Sequence, residues 1–329
     1  MNLQIATDTG TVAAQARYIT IMGKIHKFLT GPTGYQSSLP ALFFCILLTA
    51  GSAVAEEAWI DPDYEKVHKW DFTGENPHCV SFDFENGHFD VEGLSTKRLV
   101  GAWSAVPDSD RAREDRYSAR FELRPGDRVS GGWRAELRDL NNAKPGSVVW
   151  YSISTLIPED FAEAPGNSFV LIQWHDQKVP WNNPMGHSPP LAARYRDGRL
   201  DITLRHAFDG QRDGENGREL NLYSHPDLER GVWHDFVYQV KWSANAESQD
   251  TGFVNVWLNG EQVVDYDGPI GYFDDLGVYV KFGIYARHDV DRPYVVFHDS
   301  YHRGVTFEDV CVVCEPLTGN DIVDQADEK

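Results

Sequence analysis

The sequence predicts an all-β fold, a sandwich or jelly roll of two antiparallel sheets. Three observations lead there. Segment after segment alternates with period two and stops at Gly, Pro, Asn or Asp. No window of 12 or more residues carries a convincing 3.6-residue period. Asn259-Gly260 separates two alternating runs, and this dipeptide is the strongest short hairpin signal because both residues tolerate positive φ.

The elements follow in chain order. ALFFCILLTA at 41–50 is an apolar run of ten, preceded by Lys24 and Lys27 and followed by Ala53-Val54-Ala55, which has the form of a signal-peptidase site. Ten residues fall short of the roughly 20 that a spanning helix needs. The expectation is a secretory signal over 1–55, cleaved after Ala55, with Met22 the better start and a secreted or periplasmic product. Residues 56–77 read as an arm laid over the sheet, 78–317 as one β domain, and 318–329 as an acidic, disordered tail. Within the domain, strands are predicted at 79–84, 117–123, 148–157, 169–175, 200–205, 233–242, 253–258, 278–285 and 294–298.

Composition narrows the function classes. The chain has 329 residues with 30 basic and 50 acidic side chains, net −20. Residues 1–55 carry three basic and one acidic residue, so the remainder holds 27 against 49, net −22. Such acidity argues against nucleic-acid binding and against a polybasic membrane surface, since both need a positive field. Hydrophobic residues at 41% and aromatics at 12% exclude wholesale disorder.

Beyond the signal, Cys79, Cys311 and Cys314 remain, which suggests one disulfide and one leftover thiol. First and last strands of jelly rolls are often neighbours, so Cys79 is expected to bridge Cys311 or Cys314, with Cys311–Cys314 as the alternative. Cys311-Val-Val-Cys314 is a lone CxxC without a second ligand pair, so it does not support zinc. No metal or cofactor motif occurs, a structural Ca²⁺ has none to support it, and a monomer is expected.

Three strands carry unusual chemistry on one face. In a strand, residues i and i+2 point the same way. Along 279–287, Tyr279, Lys281, Gly283, Tyr285 and Arg287 share one face, while Val280, Phe282, Ile284 and Ala286 share the core face. Gly283 on the polar face would let a ligand approach the backbone. Along 170–175, Gln173 and His175 oppose Val170, Ile172 and Trp174; along 133–138, the outward set is Arg134, Glu136 and Arg138. Each set alone is an ordinary solvated strand face. Together they supply complementary parts of one reaction.

RAELR at 134–138, QWH at 173–175 and YVKFGIY at 279–285 resemble the three signature strands of jelly-roll alginate lyases, R-x-E-x-R, Q-x-H and Y-x-K-x-G-x-Y. SPPLAARYRDGRL at 188–200, GVWHDFVYQVKWS and GFVNVWLNG look closer to the heparin-lyase-I-like and glucuronan-lyase branch. The resemblance spans roughly residues 79–312 in the same order. Trp174 and Phe282 depart from it at inward positions, which bears on subfamily rather than chemistry.

The resemblance implies a concanavalin-A-like β-jelly roll with a concave groove, cleaving a uronate-containing polysaccharide by β-elimination. Removing the C5 proton requires that the neighbouring carboxylate be neutralised, a base be supplied and the leaving O4 be protonated. By resemblance, Arg134 and Gln173 bind the carboxylate, and His175 and Tyr285 are the base and acid. Lys281 and Arg138 hold neighbouring sugar carboxylates, Glu136 orients the two arginines, and Tyr279 and Arg287 line the groove. The expected partner is an acidic polysaccharide, drawn to a basic strip on an acidic body. Two rivals remain: a non-catalytic carbohydrate-binding jelly roll, and a sandwich glycoside hydrolase, whose E-x-D-x-x-E strand does not occur.

Overall fold

The computed structural model describes residues 79–176, 187–207, 217–244, 251–272 and 276–311. Among them there is no helix; the strands form two eight-stranded antiparallel sheets packed face to face. The first runs β14 (Glu261–Asp267), β13 (Phe253–Leu258), β12 (Trp233–Lys241), β7 (Val148–Leu156), β16 (Tyr294–Gly304), β4 (Ser118–Leu123) and β3 (Ala105–Asp108), with β1 (Val80–Phe82) also on β16. The second runs β11 (Arg218–His225), β10 (Arg199–His206), β9 (Leu191–Arg196), β8 (Phe169–Asp176), β15 (Val278–Ala286), β6 (Gly132–Asp139) and β2 (Leu94–Arg98), with β5 (Arg128–Val129) on β6. The segments expected to be a signal (1–55), an arm (56–77) and an acidic tail (318–329) lie outside the described residues.

The strands expected from alternation are present, most within two residues of their bounds. The last is longer, because β16 continues to Gly304 and pairs in turn with β4, β7 and β1. Alternation does not reveal strands β2, β3, β5, β9 and β11. β11 shows why: Arg218 to Asn221 are all exposed on an edge strand, so no buried face imposes alternation. Asn259 (φ 51°) and Gly260 (φ 81°) make the hairpin turn between β13 and β14, as the dipeptide requires.

Inward residues of the two sheets interdigitate. Phe282 of β15 stacks on Tyr301 of β16 at 5.1 Å and meets Phe121 of β4 edge-on at 6.2 Å. Trp174 of β8, almost fully buried, packs against Tyr151 and Tyr238 of the opposing sheet. Both unusual inward residues thus fill the space between the layers.

One irregularity shapes the site. Phe282 pairs with Ile172 but Tyr285 with Val170, so Gly283 and Ile284 together face Leu171. This bulge turns Leu171 into the core and Val170 to the groove, correcting the expectation that Val170 faces inward. It also reassigns Gly283. Its φ is 137°, and a Cβ there would lie 2.2 Å from the Ala135 carbonyl oxygen on β6. The glycine is required by strand-to-strand approach rather than by a ligand.

Behind the bulge, buried His298 of β16 lies 3.0 Å from the Gly283 carbonyl and 3.0 Å from Thr155 Oγ1. A carbonyl only accepts, so Nε2 carries the hydrogen and Nδ1 accepts from the threonine hydroxyl. Burial lowers the imidazole's pKa to about 4.

The first and last strands are neighbours, with Val80 opposite Arg303. Cys79, however, is a free, exposed thiol, so the Cys79 bridge is not formed. Partial burial, and next the Asp309 carboxylate, raise its pKa. The alternative Cys311–Cys314 pairing involves a residue outside the described ones.

Two expectations follow. Gly283→Ala adds both a clash and a strained φ, so urea unfolding should show a loss of at least about 1–3 kcal/mol. For His298, the native pKa lies below the unfolded value near 6.5, so the unfolded chain binds the proton first. Its contribution is complete above that pH and is lost as pH falls to about 4, roughly 3 kcal/mol in all. His298→Gln should flatten the stability profile across this window.

Candidate active site

The three motif strands lie side by side in the order β8–β15–β6. Registers interleave their outward residues. Tyr285 pairs with Arg134, Gly283 with Glu136, and Lys281 with Arg138 on one side. On the other, Lys281 pairs with Gln173 and Tyr279 with His175. Adjacent strands are about 4.8 Å apart, so these side chains are immediate neighbours.

They line a groove of about 900 Å³ on the outer face of the second sheet. Arg134, Gln173, His175, Tyr279, Lys281, Tyr285 and Arg287 all contribute to its wall. Glu136 and Arg138 do not. Glu136, 1% exposed, lies beneath the wall and accepts from Arg134 Nη1 at 3.0 Å and from the Gln173 amide. It therefore orients Arg134 and Gln173, not the two arginines. Arg138 is fully buried, its guanidinium 3.7 Å from the centre of the Tyr279 ring. Arg138 therefore lies beneath Tyr279 and is not among the residues that line the groove.

Arg134 lies over the Tyr285 ring at 4.1 Å. His175 stacks on Tyr279, ring centres 5.8 Å apart and planes 24° from parallel. Its Nδ1 sits 2.9 Å from the Asp176 backbone oxygen and 3.1 Å from Asp176 Oδ1. Both neighbours only accept, so Nδ1 carries the hydrogen and Nε2 keeps a lone pair. Burial, then the charge of Lys281, lowers the imidazole's pKa against the opposing pull of Asp176.

Electrostatically the centre of the wall is a buried cation cluster with Glu136 among it as a counter-charge. Burial pushes Lys281 well below an ordinary lysine, and Arg134, Arg98 and Arg138 push the same way; Glu136 opposes. Burial alone would raise Glu136, but Lys281, Arg134, Gln173 and Arg98 hold it below the usual carboxylate range.

Sequence reasoning missed several wall residues. Arg98 pairs in register with Glu136 from β2. Arg194 and Arg196 of β9 and Arg205 of β10 extend the wall, with Asp201 and Glu219 as the acids among them. Among the described residues, seven lining cations against two lining acids make a basic strip on an acidic chain. Arg194 and Arg196 sit at i and i+2 in LAARYR, a signal hidden because β9 was not recognised as a strand. Residues 218–225 form strand β11, while 177–186 and 208–216 lie outside the described residues. Among the described residues, no group of three or more His, Cys, Asp and Glu is placed to hold a metal ion.

A family model described as polysaccharide lyase matches residues 84–302, two thirds of the chain and every residue named in the wall. The chain belongs to this family. As a polysaccharide lyase it is a catalyst, which sets aside the binding-module and hydrolase alternatives. The lyase also resembles solved structures. An endo-β-1,4-glucuronan lyase from the fungus Trichoderma reesei is 17% identical, covering 72% of this chain and 98% of its own with a TM-score of 0.56. Alginate lyase A1-II′, of polysaccharide lyase family 7, is 16% identical over 62% of this chain and 84% of its own, TM-score 0.44. The glucuronan-lyase likeness establishes the shared jelly-roll fold. No curated protein sequence matches significantly.

Removing the counter-charge tests the cluster. Glu136→Gln leaves Arg134, Arg98 and Lys281 without their shared anion, so stability at pH 7 should fall by about 3–5 kcal/mol, the usual cost of breaking a buried pair. Equilibrium unfolding in urea measures it.

Proposed function

We propose that this polysaccharide lyase is exported and cleaves a polyuronate by β-elimination. The observation that carries the reading is the register of β6, β15 and β8, which sets Arg134 beside Tyr285 and Gln173 two residues before His175 on one groove wall. An excess of lining cations favours a substrate with a carboxylate on successive sugars. The apolar run before Ala53-Val54-Ala55 supports export.

In the proposed reaction, Arg134 and the Gln173 amide bind the uronate carboxylate. Both already hydrogen-bond Glu136, so their orientation is set before substrate arrives. Neutralising the carboxylate lets the C5–H bond break towards His175 Nε2. The electron pair left at C5 forms the C4=C5 double bond and the C4–O4 bond breaks. Tyr285 donates its phenolic proton to O4. Arg134, 4.1 Å over that ring, supplies a positive charge close to the phenol as the proton leaves. Lys281 and Arg194 face the same groove and are placed for carboxylates of adjoining sugars. Tyr279 and Arg287 are wall residues on either side of the reacting groups.

A panel of glucuronan, alginate and glycosaminoglycans, followed by the ultraviolet absorbance of unsaturated uronate, tests the reading and identifies the best substrate. Absence of that product from every polymer would refute it. On the best polymer, Tyr285→Phe should abolish turnover while binding persists, because the ring stays and only the hydroxyl leaves. His175→Ala should cost at least about 10²-fold in kcat. Since the His175 pKa is lowered, the base is free down to a pH below the ordinary histidine value, and the acid limb of the rate profile should fall below about 6.5.

A further inference from the structure

Asp176 closes β8 immediately after His175, and its carboxylate is 1% exposed. A carboxylate buried that deeply is costly unless it is paired. Among the described residues, two imidazoles lie against it. His187 Nδ1 lies 2.6 Å from Oδ2, and His175 Nδ1 lies 3.1 Å from Oδ1. Both imidazoles line the groove, whereas Asp176 stands behind them. His187 is itself held flat, its ring 3.9 Å from that of Tyr272 and 18° from parallel. The Tyr272 hydroxyl donates to the Ser188 carbonyl at 3.0 Å, which ties the stack to the same wall.

We propose that Asp176 is a positioning residue for His175 and shares its carboxylate with His187, so that the groove holds a His175–Asp176–His187 unit. The proposal rests on the reading of His175 as the base. Its physical reason lies in the charge of the wall. When Nε2 takes the C5 proton, the imidazolium forms in a site already crowded by cations: Lys281 faces it along β15, and Arg98 and Arg138 lie against the Tyr279 ring on which it stacks. Glu136 is engaged by Arg134 and Gln173. Asp176 is the anion in contact with the imidazole itself, and it offsets the charge that appears there. The Asp176 backbone oxygen, at 2.9 Å from Nδ1, would keep the tautomer without the carboxylate. What the carboxylate adds is therefore basicity. The hydrogen bond from His187 anchors Oδ2 and takes a share of its charge.

Asp176→Asn keeps the shape and removes the charge. In the full chain without substrate, the NMR titration midpoint of His175, assigned by its loss in His175→Gln, should move to lower pH. On the best polyuronate, kcat should fall at least about 10-fold while KM stays within about threefold, because the effect appears only as the proton moves. An unchanged midpoint, or a shifted midpoint with unchanged kcat, overturns the proposal. His187→Phe supplies a second reading should the Asp176 variant fail to fold. It keeps the stack on Tyr272 and removes the donor to Oδ2, so that donor no longer draws on the carboxylate's charge and the His175 midpoint should rise. An unchanged midpoint there overturns the shared carboxylate. The titrations need no substrate, so failure of the lyase reading, seen as no unsaturated product from the unmodified chain, is separable from failure of this one.

Discussion

The site depends on β15 holding one register against both of its neighbours. A slip of one residue would carry Tyr279, Lys281 and Tyr285 into the core and put Val280, Phe282 and Ile284 on the groove. Phe282 opposes that slip by its contacts with Phe121 and Tyr301 across the layers. Gly283 opposes it too, since only a residue without Cβ fits against the Ala135 carbonyl. His298 then ties the Gly283 carbonyl to the opposing sheet. The groove wall is thus held by packing on its hidden side.

Burying cations on that wall creates the second constraint. Arg98, Arg134, Arg138 and Lys281 are each at most 8% exposed, and among the described residues Glu136 is the acid set between them. A groove that keeps surplus positive charge partly desolvated is prepared for an anion, which enters a site whose donors are already oriented. The same surplus opposes protonation of a base in the groove, and this is where the Asp176 carboxylate matters. The acidic body does not cancel the strip, because salt screens distant charges beyond about 8–10 Å while the wall contacts are far shorter.

Alternation and turn chemistry were enough to read the fold class, the hairpin at Asn259-Gly260 and the outward faces of the three motif strands. These are local properties: period two and positive-φ tolerance belong to a strand or turn regardless of its neighbours. The resemblance to jelly-roll lyases rested on those same faces, with RAELR, QWH and YVKFGIY in order along the chain. Polar edge strands such as β11 left no such trace, since a strand with no buried face need not alternate.

What only the tertiary structure decided is which of two residues on the same strand face reaches the groove. Arg134 and Arg138 are indistinguishable by period, yet Arg134 lies on the wall and Arg138 lies beneath Tyr279. Gly283 and Val170 changed meaning because a bulge offsets β15 from β8, an event set by three strands at once. Asp176 and His187, eleven positions apart, meet through chain geometry that no spacing rule encodes. The sequence by itself determined periodicity, turn positions and the chemical inventory of each face, because those depend on neighbours along the chain. Burial, pairing and charge balance depend on neighbours in space, and they were decided when the two sheets packed.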